Sequence, residues 1–158
     1  MINAVRHVGI VVTNMEKSLI FYRDLLGLTI ERDMIESGNY IDNMLSMFNV
    51  VVNTVKMSAK NNGPTLIELL EFKSNRQNPN GNSDVSRIGA SHVAFTVTDL
   101  DKIYVDLTNA GVKFNAPPQY SPDGYAKVTF CHDPDGTPIE LVQVLDSSIL
   151  KKSQIPSG

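Results

Sequence analysis

The chain has 158 residues, 42% of them hydrophobic and 20% charged, enough for one compact domain or two very small modules sharing a core. It is too short for a TIM barrel or for a dehydrogenase with a separate substrate domain. With 14 basic and 17 acidic residues, a formal net charge of -3 and no Lys/Arg cluster, nucleic acid is not an expected partner.

A single cysteine, Cys131, excludes an intramolecular disulfide framework and a four-cysteine zinc site, and it suits a reducing cytoplasm. Met1 to His7 lacks the apolar stretch of a secretory signal, and no later run is long and apolar enough for a membrane span. A soluble, cytoplasmic chain is expected.

In chain order, Val5 to Thr13 is β-branched and apolar enough for a strand, and Asn14 offers an N-cap to a helix over Met15 to Leu26. Leu19, Tyr22, Leu25 and Leu26 recur there at helical spacing, and Gly27 stands where the helix should stop. Leu28 to Ile35, Val50 to Met57 and Thr65 to Phe72 then read as strands, which makes a βαβββ module. Residues 38–49, with Tyr40, Ile41, Met44, Leu45, Met47 and Phe48, are either a pocket wall or lid, or a short helix filling core or a dimer contact. Pro-Asn-Gly at 79–81 marks a linker.

A second module follows: a strand over Ser91 to Val97, a helix from an Asp99 cap to Ala110, a stop at Gly111, and strands near Val112 to Phe114, Ala126 to His132 and Pro138 to Val144. Ser121-Pro122-Asp123-Gly124 and Asp133-Pro134-Asp135-Gly136 mark tight turns. The tail from 147 to 158 has no clear periodicity, although Ile149-Leu150 is apolar enough to dock. The expected fold class is α+β. Two tandem βαβββ modules (1–73 and 90–146, joined by a linker at 74–89) form one domain over 1–146, followed by the tail.

The two modules are copies. His7-Val8-Gly9-Ile10-Val11-Val12-Thr13-Asn14 aligns with His92-Val93-Ala94-Phe95-Thr96-Val97-Thr98-Asp99. Leu26-Gly27-Leu28 matches Ala110-Gly111-Val112 once one residue is deleted, and Leu66-Ile67-Glu68-Leu69-Leu70 matches Pro138-Ile139-Glu140-Leu141-Val142. Strand alternation puts His7 on a face with Val5, Gly9 and Val11, and His92 on a face with Ala90, Ala94 and Thr96, opposite the side where a helix packs.

Glu68 and Glu140 sit inside apolar strands, where an unpaired carboxylate is strongly destabilising. No Lys or Arg lies within two residues of either one in sequence. One divalent cation would balance both charges, and neutral imidazoles would complete its shell. His7, Glu68, His92 and Glu140 are therefore the candidate metal ligands.

These residues resemble the vicinal oxygen chelate superfamily, which includes glyoxalase I, methylmalonyl-CoA epimerase, extradiol dioxygenases and the fosfomycin- and bleomycin-resistance proteins. Its signposts here are His7-Val8-Gly9-Ile10, Phe21-Tyr22 before Leu26-Gly27-Leu28, Ser91-His92-Val93-Ala94-Phe95 and Asp133-Pro134-Asp135-Gly136-Thr137-Pro138-Ile139-Glu140-Leu141. The resemblance implies paired βαβββ modules curled into a half-open barrel-like mixed sheet around one divalent metal (Zn, Ni, Co, Mn or Fe), with a homodimer expected. It also implies a lyase or isomerase, glyoxalase- or epimerase-like, that moves a proton next to a carbonyl through a metal-held enediolate on a small oxygen-rich substrate. Glu140 is the first choice of base and Glu68 the second.

The alternatives are a small-molecule binding protein of the same fold without turnover, or an extradiol-type dioxygenase, whose two-histidine, one-carboxylate site Glu68 would crowd. The chain lacks the asparagine-tryptophan-glycine phrase common after the glutamate in glyoxalase I, and it has Glu68 where methylmalonyl-CoA epimerases usually carry glutamine. The substrate therefore stays open. Tyr40, Met44, Phe48 and Tyr125 are candidate substrate contacts by position. His132 is read as a surface histidine and Cys131 as a small buried apolar residue. No GxGxxG, Walker A, HExxH or CxxC pattern occurs.

Overall fold

A computed structural model describes residues 1–61, 63–74, 85–86 and 88–145. The expected linker at 79–81 and the tail from 147 lie outside the described residues. The chain divides into two compact units, 1–80 and 81–158. Among the described residues, no helix is long and apolar enough to cross a membrane.

The first unit runs β1 (His7–Val11), α1 (Met15–Leu19) continued by a π-helical turn (Ile20–Leu25), β2 (Thr29–Ser37), α2 (Asn39–Leu45), β3 (Val51–Ser58) and β4 (Leu66–Phe72). Its sheet has the order β1-β4-β3-β2, with β1 parallel to β4 and the other pairs antiparallel. The second unit runs β5 (Val93–Thr96), α3 (Leu100–Asn109), β6 (Gln119–Tyr120), β7 (Ala126–His132) and β8 (Pro138–Val144), in the order β5-β8-β7-β6. The α+β modular reading therefore holds: each unit is a four-stranded mixed sheet with few helices.

Local chemistry explains the helix ends. The Asn14 side chain accepts from the Lys17 amide and Asp99 from the Lys102 amide, each satisfying a donor that the first helical turn leaves open. Gly27 and Gly111 adopt φ of +76° and +86°, the left-handed conformation that ends a helix at low cost in glycine. Each helix start is also tied to the last strand of its module. The Met15 amide donates to the Glu71 carboxylate at 3.3 Å, and the Leu100 amide to the Gln143 side chain at 2.9 Å.

Up to the glycine stop the copies differ by one residue, which lies in the first helix. The Leu26 amide reaches back five residues to Phe21 O where its counterpart Ala110 reaches four, to Asp106 O. The Leu28 amide reaches six residues to Tyr22 O where Val112 reaches five, to Leu107 O. The π-helical turn absorbs the surplus residue, so Tyr22 and Leu107 keep the same buried place.

Alternation in the strands separates two faces. On one, Ile10, Val12, Val55, Met57, Ile67 and Leu69 are buried, as are Met15, Phe21 and Tyr22 of the helical segment. Burying each side chain of this size contributes about 1.5–3 kcal/mol. The other face carries His7, Glu68 and the β3 residues Thr54, Lys56 and Ser58. In the second unit, Leu100 and Leu107 of α3 and Cys131, Ile139 and Leu141 of the sheet are buried.

One expectation changes, and one of two alternatives is met in the short core-packed helix at 38–49. Val112 to Phe114 is not a strand: Phe114 makes one bridge to Cys131, and pairing resumes only at β6. Pro117 and Pro118 intervene, and without N–H groups they cannot extend a ladder. Residues 38–49 contain α2, whose Ile41 packs with Val50 and Val52 against Met47, Leu70 and Phe72. The Asp42 carboxylate closes the following loop by accepting from the Asn49 and Val50 amides at 2.9 and 2.8 Å.

Candidate functional site

Register builds the same pair twice. In the β1–β4 pairing Gly9 faces Glu68, and in the β5–β8 pairing Ala94 faces Glu140. The histidine lies two residues earlier on the first strand of each pairing, so it shares a face with the glutamate and meets it diagonally. His7 Nε2 is 3.1 Å from Glu68 Oε2, and His92 Nε2 is 3.2 Å from Glu140 Oε2. The small residues Gly9 and Ala94 leave that diagonal open.

Two neighbouring ligands of one cation, each about 2.1 Å from it, stand about 3 Å apart, and both pairs have that separation. Imidazole nitrogen with carboxylate oxygen also suits a first-row divalent ion. As they stand the two are imidazole–carboxylate ion pairs, and by donor type each supplies two of the ligands a metal would need. Within either unit, no third His, Cys, Asp or Glu among the described residues joins the pair to complete a metal-holding group.

The glutamates differ in what flanks them on the other side. Glu68 pairs across β3 with Lys56, whose Nζ stands 3.2 Å from Glu68 Oε1. Glu140 pairs across β7 with Phe130, whose ring meets the His92 ring edge-on with centroids 5.2 Å apart. The counter-charge that no sequence neighbour of Glu68 supplies thus comes from the adjacent strand. The Glu68 side chain is 10% exposed and that of Glu140 22%, so the more deeply buried carboxylate is the one with the cation.

Other candidates fall as follows. Tyr40, Met44 and Phe48 are exposed on α2 and the loop after it, while Ile41 beneath them anchors α2 over Val52, Leu70 and Phe72. Because Leu70 and Phe72 alternate onto the Glu68 side of β4, α2 covers one end of the face that carries the first pair. Tyr125 is half-buried, and its amide donates to Asp123 at 3.0 Å. The Ser121 hydroxyl and that amide hold the Asp123 carboxyl below its ordinary range.

His132 is half-buried on the Glu140 side of β7, with Nε2 2.6 Å from Asn115 Oδ1 and Nδ1 3.2 Å from Gly136 O. It is held by the turn rather than loose on the surface. Asp133, also buried, organises that turn by accepting from the Asp135 and Thr137 amides. Burial pushes the Cys131 thiol up to about 12, which suits an inert packing residue. Sequence reading missed Lys56. The available signal was the β3–β4 hairpin register, which sets it against Glu68 across the turn at 59–65.

Comparison with known proteins agrees with this architecture. A family model described as the Glyoxalase/Bleomycin resistance protein/Dioxygenase superfamily matches residues 4–141. The uncharacterized protein YaeR of Escherichia coli is 29% identical over 139 residues, covering 88% of this chain and 95% of that one. YwkD of Bacillus subtilis, also uncharacterized, is 28% identical over 145 residues, covering 90% and 98%. A glyoxalase family protein from Bacillus cereus superimposes with a TM-score of 0.80 at 22% identity, over 92% of this chain and 97% of that one. At that identity the likeness carries the fold.

Proposed function

We propose that this chain, which belongs to the Glyoxalase/Bleomycin resistance protein/Dioxygenase superfamily, is a divalent-metal-dependent lyase or isomerase acting on a small oxygen-rich carbonyl compound. The observation that carries the reading is the His–Glu pair built twice at one register, 3.1 and 3.2 Å apart. His7 with Glu68 and His92 with Glu140 are the donor pairs that would hold metal. When bound, the ion supplies Lewis-acid polarisation of the substrate carbonyl and stabilises the charge that develops beside it.

Proton transfer falls to the protein. Glu140, on whose carboxylate no ammonium among the described residues sits, takes the proton from the carbon next to the carbonyl and returns it, either to the neighbouring carbon or to the same carbon from the other face. Glu68, whose Oε1 is already engaged by the Lys56 ammonium at 3.2 Å, is the second choice of base. Tyr40, Met44, Phe48 and Tyr125 belong to this reading as substrate contacts; α2, next to the Glu68 face, supports the first three. A homodimer and a cytoplasmic setting belong to it as well, and light scattering on the purified chain tests the dimer.

The test is elemental analysis with solvent deuterium exchange into 2-oxo-hemithioacetals, acyl-CoA thioesters and keto-sugars, with and without metal. Metal-dependent exchange that His92→Ala abolishes together with bound metal supports the reading. No exchange across the panel by metal-loaded protein sinks it. One observation favours a second reading, a small-molecule binder without turnover: Lys56 gives Glu68 a counter-charge that needs no metal. In that case a panel compound binds to metal-free protein and no exchange follows.

A further inference from the structure

The two His–Glu pairs match in register and separation, but the residue beside each glutamate does not. Lys56 on β3 holds Glu68 Oε1 at 3.2 Å, and Phe130 takes the equivalent place beside Glu140. Glu68 therefore has an imidazole on one oxygen and an ammonium on the other, whereas Glu140 has an imidazole and, opposite it on β7, Phe130, whose ring packs on His92. The Lys56 side chain is 27% exposed, so its charge acts in a partly desolvated setting, where bulk water and salt screen it less.

We propose that Lys56 is a built-in counter-ion that stands in for metal charge at Glu68 and so sets how tightly the chain holds a divalent cation. The proposal rests on the metal reading above. Without metal, Lys56 keeps a buried carboxylate compensated. A cation approaching Glu68 Oε2 meets an ammonium already fixed on the other oxygen of the same carboxylate. Its affinity is lower than the donors alone would allow. Among the described residues of the second unit no ammonium opposes a cation at Glu140.

The experiment measures Zn²⁺ affinity of the full chain by competition with a fluorescent chelator, and melting temperature with and without Zn²⁺. Lys56→Met is expected to bind Zn²⁺ at least tenfold more tightly than the parent chain. It should melt lower without Zn²⁺ and gain more on its addition. Lys56→Arg, which keeps the charge, is expected to stay near the parent in both measurements. Phe130→Lys places an ammonium opposite Glu140 and is expected to weaken Zn²⁺ binding at least tenfold, with Phe130→Met close to the parent; this pair decides the matter if Lys56→Met does not fold. Equal or weaker affinity in Lys56→Met, or unchanged affinity in Phe130→Lys, overturns the role of Lys56 and leaves the metal reading standing. A parent chain that binds no Zn²⁺, Ni²⁺, Co²⁺, Mn²⁺ or Fe²⁺ overturns the metal reading itself and this proposal with it.

Discussion

Gly9 stands directly opposite Glu68 in the parallel pairing of β1 with β4, two residues after the histidine that reaches the same carboxylate. A Cβ placed on Gly9 would lie 3.3 Å from Leu70 Cδ1, the tip of a flexible side chain that can give way. Gly9→Ala is therefore expected to stay within about 1 kcal/mol of the parent stability, as the native Ala94 at the same place in β5 suggests. Gly9→Leu crowds Leu70 on the face that carries His7 and Glu68 and is expected to cost about 1–3 kcal/mol and to lower metal affinity. Thermal unfolding and metal titration of both variants check this.

Glu140→Gln keeps the shape of the side chain and removes its capacity to take a proton. Solvent proton exchange is expected to fall by about 10²–10⁴-fold, the usual contribution of a positioned general base. Glu68→Gln is expected to act mainly on metal affinity, with a smaller loss of rate at saturating metal. Exchange rates followed by proton NMR in deuterated solvent, at several metal concentrations, separate the two effects.

Glu71 is buried, accepts from the Met15 amide at 3.3 Å and lies 2.6 Å from the Lys73 ammonium. Its counterpart Gln143 does the same work at the start of α3 without a charge. Glu71→Gln is accordingly expected to be nearly neutral. Glu71→Leu leaves the Met15 amide without this acceptor and is expected to cost about 1–3 kcal/mol. Denaturant unfolding of the two variants provides the comparison.

Cys131 is fully buried and its thiol is pushed up to about 12 from an ordinary 9.0, chiefly by desolvation. The native thiol is expected to resist a disulfide reagent at pH 8 that labels the unfolded chain readily. The raised value has a second effect. Below pH 9 both states keep the proton, but above it the unfolded chain releases the proton while the folded one retains it, so stability is lost as pH climbs from 9 toward 12. Denaturation midpoints at pH 8 and 10 should fall more in the parent chain than in Cys131→Ala.

What the sequence reveals here depends on the range of the interaction. Caps at Asn14 and Asp99 and stops at Gly27 and Gly111 were legible because each acts within a few residues of itself. The two His–Glu pairs were legible because duplication printed them twice. The break after Phe114 was written in Pro117 and Pro118, but the strand-like run Val112 to Phe114 masked it, since β-propensity ignores where the ladder partner ends. Lys56 was hidden for a different reason. Its bearing on Glu68 is a cross-strand relation between residues twelve positions apart, visible only once a hairpin register is assigned.

The wide turn over Ile20–Leu25 has a consequence for how such a duplicated chain can diverge. A residue gained or lost within a strand shifts every side chain beyond it to the opposite surface. Between the first strand and the glycine stop the copies differ by one residue, and it is taken up in one helical turn, where a longer loop of hydrogen bonds absorbs the slack and Gly27 still closes the element; the larger surplus downstream, which includes α2, is taken up before β3. The helix works as an expansion joint, letting the halves drift apart in length while the chemistry downstream keeps its alignment.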